Sequence, residues 1–565
     1  MRLSNSTLRL LSLSALTLLV TPGSAQETTI VQRKGDNILG AGGAIKGFSK
    51  LAVSDAGIIY TNVTTTSTDK ERDDVVLLNG FLAVTEDSEV ATPVGAKISS
   101  FGDLDVNAAG FLGWPLTLKN SEEVTNSNNS GIFFNTLLLA RKGDPIFATE
   151  VNGVALPANT LYNRFNAAKI NDRNSILYSG VLDDPSIAGT EPTIGLLEID
   201  EEGNLTEETV FFLKGYPVPG LGEEFTQVGT SPDSIALAND GSFIAQIKAG
   251  SVGTVDSIII RNNEILAREG DFAPVPGNRK YLDLGGTKVD LNDFGGYVFT
   301  AVLDGDANSA ALLVVNGEAF VQEGQTFPAI APYSVDRFDS VGMYIGNSGD
   351  VYWYMRSTEG GTSDQFLLRN FETILQENNS TVGGETIVGL TPVAGSFFVS
   401  DSGRFWIGKV ATSQGDVIVL ADFGTSYPLM GCAGNPGSLK KITGDARPGE
   451  TMFLEMDDAQ GVGVLPMIFW SLGSGLPGNK RDTQQCGRMH PVGEIMISLA
   501  GPHQLGRIVE APTDGTPTIF QLDFPNDLAL VNLQIYGQGV FYDVAGTTAG
   551  PTFQLTNGYY IEIGA

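Results

Sequence analysis

Three carboxylates that follow a glycine are the first residues whose spacing could do chemistry. Asp36, Asp144 and Asp271 each close a Lys-Gly-Asp or Glu-Gly-Asp turn, and gathered round one axis they would make a metal or substrate site. The other copies of this turn carry Tyr216, Gln325 or Asn379 at the same place. An Asp after Gly also caps its own turn, so a structural role is the expectation. Asp304 and Asp306, in Leu-Asp-Gly-Asp-Ala-Asn, resemble half a calcium loop but lack the further spaced ligand and the terminal bidentate Glu. His490 and His503 are the two imidazoles available for acid–base work, and no Gly-x-Ser-x-Gly elbow accompanies them. Trp114, Trp353 and Trp406 would suit sugar stacking, yet their strand neighbours point to core packing. With 65 acidic residues, a glycosidase-type carboxylate pair is easy to find and impossible to assign. No catalytic, cofactor-binding or metal-ligating set is expected.

The elements that would position any such residue come from a repeat. Asn292-Asp293-Phe294-Gly295-Gly296-Tyr297-Val298-Phe299 runs a polar turn into a strand, and comparable blocks begin at Ser54, Asn107, Asn171, Asn239, Asn347 and Ser400. Their fourth positions, as turn residues, are Gly57, Gly110, Asn174, Ser242, Gly295, Asp350 and Gly403, separated by 53, 64, 68, 53, 55 and 53 residues. An apolar strand precedes each block and a β-branched, aromatic strand follows it. Downstream comes a third strand that often ends in Asn-Gly, as in Val76 to Gly80 and Leu313 to Gly317, a strong hairpin signal. A fourth ends in the charged Gly-Asp-like turn, as in Ile265 to Asp271. Four strands in about 55 residues suit one blade of a propeller. Ile30 to Asp36 is a fourth-strand motif lying before the first complete unit, while the seventh unit lacks one after Asp416 to Leu420. A ring closed by the N-terminal strand accounts for both and removes exposed sheet edges. The expectation is an all-β chain: a seven-bladed β-propeller over 26–424, followed by a small β-sandwich over 430–565.

The blocks resemble the tandem-repeat family of secreted bacterial proteins with the consensus N-x-x-G-x-x-A-F, known for varied C-terminal anchoring domains. Asn292, Gly295, Val298 and Phe299 match best, followed by Asn107, Gly110, Gly113 and Trp114, and by Asn171, Asn174, Leu177 and Tyr178. Ser54 and Ser400 depart at the first position and Gln246 at the last. The resemblance spans about 400 residues and implies a fold and export; no activity travels with it. Beyond about Met430, Phe520, Leu522 and Phe524 alternate with polar or exposed positions, and Phe553 to Ile563 with Asn557-Gly558 reads as a last hairpin. This part is similar to a C-terminal domain of many exported bacterial proteins, with a Gly-Cys opening, a second Cys and a Leu-Gln strand (Leu533-Gln534), which implies sorting or surface association.

Residues 1–25 are expected to be a leader: Arg2 and Arg9, an apolar Leu10 to Val20, then Pro22 to Ala25 for cleavage. Export favours a disulfide between Cys432 and Cys486, the only cysteines, worth roughly 3–4 kcal/mol on the chain-entropy model. The formal charge is −31, or −33 without the leader, which argues against nucleic acid and anionic membrane as partners. No later stretch is long and apolar enough to span a bilayer. The expected protein is an exported, extracellular or surface-associated monomer without cofactor. It would bind a glycan or protein, with the terminal domain handling attachment. Two rivals are a secreted polysaccharide hydrolase or lyase with carboxylates at the propeller mouth, and a self-associating envelope component.

Overall fold

The computed structural model describes residues 28–70, 72–119, 124–185, 189–200, 203–229, 231–250, 256–361, 363–390, 395–429, 435, 437–457, 464–472, 488–490, 493–498, 504–510, 516–543 and 553–564. The chain is all-β. Over 28–422 its strands form seven successive sheets, antiparallel except for one parallel bridge between Val151 and Val210 in the third, each built mainly from neighbours in sequence. The fifth is representative: Tyr281–Asp283 and Val289–Leu291 pair with Tyr297–Leu303, which pairs with Ala311–Val315, which pairs with Glu318–Gln322. Thr28–Arg33 pairs antiparallel with Gly415–Asp422, Thr28 opposite Ala421, and so supplies the outer strand of the seventh sheet.

Second strands such as Ile59–Thr65 and Val351–Ser357 are buried along nearly their whole length, because each sheet is packed on both faces. Phe212 of the third sheet packs with Phe225 and Phe243 of the fourth. Phe398 and Phe405 of the seventh share a core with Leu51 and Val63 of the first. The sheets therefore follow one another by packing as well as by sequence, and the last meets the first.

Two turns recur for stated reasons. In the third-to-fourth-strand turn, Asn79, Asn135, Asn262, Asn316 and Asn370 have φ of 49° to 52°. The side-chain oxygen of each accepts from the first backbone N–H of the second strand, at 2.8 or 2.9 Å. In the block turn, the fourth residue donates its N–H to the carbonyl of the first and has φ between 64° and 88°: Gly57, Gly110, Asn174, Gly241, Gly295, Gly349 and Gly403. Ser242 and Asp350, the turn residues expected from sequence, thus lie one position too late. The left-handed residue has to be Gly241 and Gly349, since L side chains resist positive φ, and the turns open at Ala238 and Gly346.

Beyond Gly424, a five-stranded sheet runs in the order Thr425–Leu429, Phe553–Glu562, Gln534–Asp543, Val464–Ser471, Gln504–Val509. A three-stranded sheet holds Ser438–Thr443, Thr451–Asp457 and Thr518–Asp523. Both contribute to one core that contains Leu454, Met456, Ile468, Phe520, Phe541 and Ile561. The first strand of this part lies at 425–429, before the start expected at 430. The hairpin expected at Asn557-Gly558 is absent: Phe553–Glu562 is one continuous strand. Asn557 instead accepts from Leu439 N and donates to Leu439 O, tying the two sheets together. The terminal sheets dock on the block turns through ion pairs. Arg404 meets both Asp422 and Glu562, Lys441 meets Asp350 at 2.8 Å, and Arg369 meets Asp445.

Candidate functional site

The strands that lead into the block turns of the second to seventh sheets line one axial cavity, and charged side chains interrupt their apolar pattern there. Lys50 pairs with Asp103 (3.2 Å), Lys169 with Asp105 (3.5 Å) and Lys288 with Asp233 (2.8 Å), so each pair bridges neighbouring sheets. Asp105 accepts from Ile170 N and Asp290 from Ile345 N, both at 2.7 Å and both in the next sheet. Burial pushes the Asp290 carboxyl up to about 7, against the N–H donors and the Lys169 charge that pull it down. Burial also raises Asp105. Burial acts on Asp233 in the same sense, but Lys288 and Lys169 outweigh it and hold that carboxyl below its ordinary value.

At the block turns a second layer of hydrogen bonds runs from the second sheet to the seventh and on to the first. Ala108 N donates to Asp172, Asp172 N to Asn239, Asn239 N to Asp293 and Asp293 N to Asn347, all at 2.7–2.9 Å and each across a sheet boundary. Asn347 N reaches Asp401 O, and Ser402 N reaches Asp55 at 2.9 Å. The Asn239 amide also bridges Asp172 and Asp293 at 2.8 Å each, and that of Asn347 donates to Asp293 at 2.7 Å. Burial, then the neighbouring Asp172 charge, raises Asp293 to about 7. Burial together with Asp172, Asp55 and Asp293 raises Asp401 well above its ordinary value.

The cavity between these layers, partly open to solvent, holds about 40 Å³. A water needs roughly 10–15 Å³ of such volume, so this cavity takes a few waters and no sugar ring. Of the carboxylates that line it, Asp105 and Asp290 accept from backbone N–H groups, Asp233 faces Lys288, and Asp293 accepts from the amides of Asn239 and Asn347. Among the described residues, no three His, Cys, Asp or Glu side chains converge as metal ligands.

The residues singled out from sequence lie elsewhere. Asp36, Asp144 and Asp271 are exposed turn residues; Asp36 accepts from Arg33 N at 2.7 Å. The loop of Asp304 and Asp306 is filled by Arg279, whose guanidinium donates to the carbonyls of Asp304, Asp306 and Ser309. A cation therefore already occupies the centre a calcium ion would need. Trp114, Trp353 and Trp406 are buried, and the indole N–H groups of the first two donate to Asn135 O and Asn370 O. His490 ends the short strand Arg488–His490. His503, Cys432 and Cys486 lie outside the described residues, so the expected disulfide is not described. The axial belt was missed from sequence although a signal existed. Asp105, Lys169 and Asp290 each stand two residues before the block Asn, with Asp103 and Lys288 two residues further upstream of the first and the last.

A family model matches residues 17–365, well over half of the chain. The chain belongs to the DUF7453 family. That family is one of unknown function. No curated protein matches this DUF7453 chain in sequence. Among solved structures it is similar to an α-L-arabinanase of Penicillium chrysogenum complexed with arabinobiose, at 10% identity and TM-score 0.25, over 71% of this chain and 99% of that one. It is also similar to an oligogalacturonate lyase in complex with manganese, at 9% identity and TM-score 0.28, over 67% and 97%. Scores this low carry no argument about activity. No helix among the described residues is long and apolar enough to cross a membrane.

Proposed function

We propose that this protein is an exported, noncatalytic binding protein. In this reading its seven sheets are the blades of a propeller closed by the N-terminal strand, and its terminal sheets form a β-sandwich for surface association. What supports the repeat reading is that the fourth residue of the block turn is left-handed in all seven sheets, at the place where the N-x-x-G-x-x-A-F pattern has Gly. The observation that carries the noncatalytic reading is the occupancy of the axial carboxylates. An enzyme of the propeller-mouth type needs two or three carboxylates that break the repeat and face a substrate-sized space. Here Asp105 and Asp290 stand two residues before their block turns, and Asp172 and Asp293 second within theirs, each accepting from a backbone N–H of a neighbouring sheet, around a cavity too small for a sugar. Ligand contact would then fall to the blade loops, with a glycan or a protein as partner. The test is a screen of glycans and envelope fractions against the mature protein, with product analysis of every polymer retained. Binding without turnover is expected. Turnover of any polymer, lost on Asp290→Asn, would overturn the reading.

A further inference from the structure

Of the strand margins in the terminal sheets that have no paired neighbour among the described residues, two line one cleft. Gln504–Val509 is the margin of the five-stranded sheet and Thr518–Asp523 that of the three-stranded sheet. Between them the apolar interior opens as a cleft of about 420 Å³, walled by Trp470, Ile508, Leu522, Phe524, Leu533 and Ile535. Leu505, Val509 and Ile519 on the margins are 50%, 42% and 46% exposed, where a sandwich edge would ordinarily be covered, charged or paired. A bare margin offers a ladder of N–H and C=O groups, and the cleft beside it can take every second side chain of an added strand.

The charges round the cleft say which strand would fit. Asp523 lies at the rim, held as an anion by Gln521 and Thr451. Glu510 and Asp527 are exposed near the two margins, and Arg507 is the opposing cation. The whole chain adds a field from a formal charge of −31, which draws in basic segments and repels a second copy. We propose that this cleft docks an extended segment of a partner protein, apolar at alternate positions and basic at its flanks, that adds a strand to one of the two margins. The proposal names the surface by which the terminal domain would attach, and it rests on the surface-association reading of that domain. A failed polymer screen on the propeller would leave it standing, and its own failure would leave the propeller's binding faces untouched.

The experiment uses the full mature chain and a synthetic peptide of alternating Val and Thr flanked by Lys pairs. Two control peptides carry Glu flanks or a central Pro. Hydrogen exchange over 504–510 and 518–523 and Trp470 emission are the readouts. The Lys-flanked peptide is expected to slow exchange saturably along one margin, the Glu-flanked peptide to bind at least tenfold more weakly, and the Pro peptide to protect neither. Leu522→Lys, with its melting temperature as a check on folding, and the exposed Leu505→Lys should each weaken binding at least tenfold. Absent protection overturns the proposal, as does protection indifferent to flank charge and to Pro. Margins that become protected with rising protein concentration and no peptide also overturn it, in favour of a second copy.

Discussion

Replacing Arg404 by methionine should loosen the terminal sheets from the seventh sheet. The guanidinium is buried, with its side chain 7% exposed. It faces Asp422 at 2.9 Å and Glu562, whose side chains are 15% and 6% exposed. It also donates to Asn532 at 2.7 Å and lies 4.6 Å over the Phe405 ring. Methionine fills part of the volume but leaves two buried carboxylates with no counter-charge. Removing one partner of a buried pair costs about 3–5 kcal/mol. At about 2–4 °C per kcal/mol for domains near this size, the terminal transition should fall by roughly 6–20 °C. Differential scanning calorimetry of the full chain reads this directly. Glu562→Gln in the Arg404→Met background removes one stranded charge and should restore about 1–3 kcal/mol, the scale of coupling between touching residues. A single variant within 1 kcal/mol of the parent would refute the reasoning, as would a double variant that recovers nothing.

Stability should fall as pH rises toward neutrality. Asp290 and Asp293 titrate at about 7 in the fold, well above an unfolded Asp, so the folded state holds protons that the unfolded chain has released. Their stabilisation is complete below about pH 4 and is lost as pH rises through about 7. The melting temperature should therefore be higher at pH 5 than at pH 8, and Asp290→Asn with Asp293→Asn should flatten that slope; an unchanged slope counts against it. Gly241→Ala and Gly349→Ala should each cost about 1–2 kcal/mol in urea unfolding, because their cost is the positive φ alone, whereas Ser242→Ala should cost under about 0.5 kcal/mol. Deleting residues 28–33 should bare the margin of Gly415–Asp422 and produce oligomers by light scattering; a monodisperse truncation would show that closure does not guard that edge.

The body of the fold was legible in the sequence because its turns need residues that few others can replace. Asn79, Asn135, Asn262, Asn316 and Asn370 mark one turn of five sheets, and the N-terminal motif announced the strand that Gly415–Asp422 lacked. The register of two blocks was misread because Asn239 and Asn347 look like the opening residue. The left-handed position is the stricter demand, and it assigns that place to Gly241 and Gly349. Displaced to the second place, Asn239 bridges Asp172 and Asp293 and Asn347 donates to Asp293, joining neighbouring sheets. Asn557-Gly558 was misread as a hairpin for the opposite reason. A local turn signal gave way to a side chain that joins two sheets, which no window of sequence displays. The axial ion pairs were hidden because their partners lie in neighbouring repeats, 53 to 64 residues apart.

The pairing of Thr28 with Ala421 also sets a timetable. Every other strand of the body can find its neighbours soon after it is made, but the first must wait for the last. Roughly 390 residues at about 5–20 residues per second is a delay of some 20–80 s. Through that interval the nascent chain carries an unspent strand at its front, and any factor that escorts it has to keep that strand apart from other chains until the seventh sheet arrives.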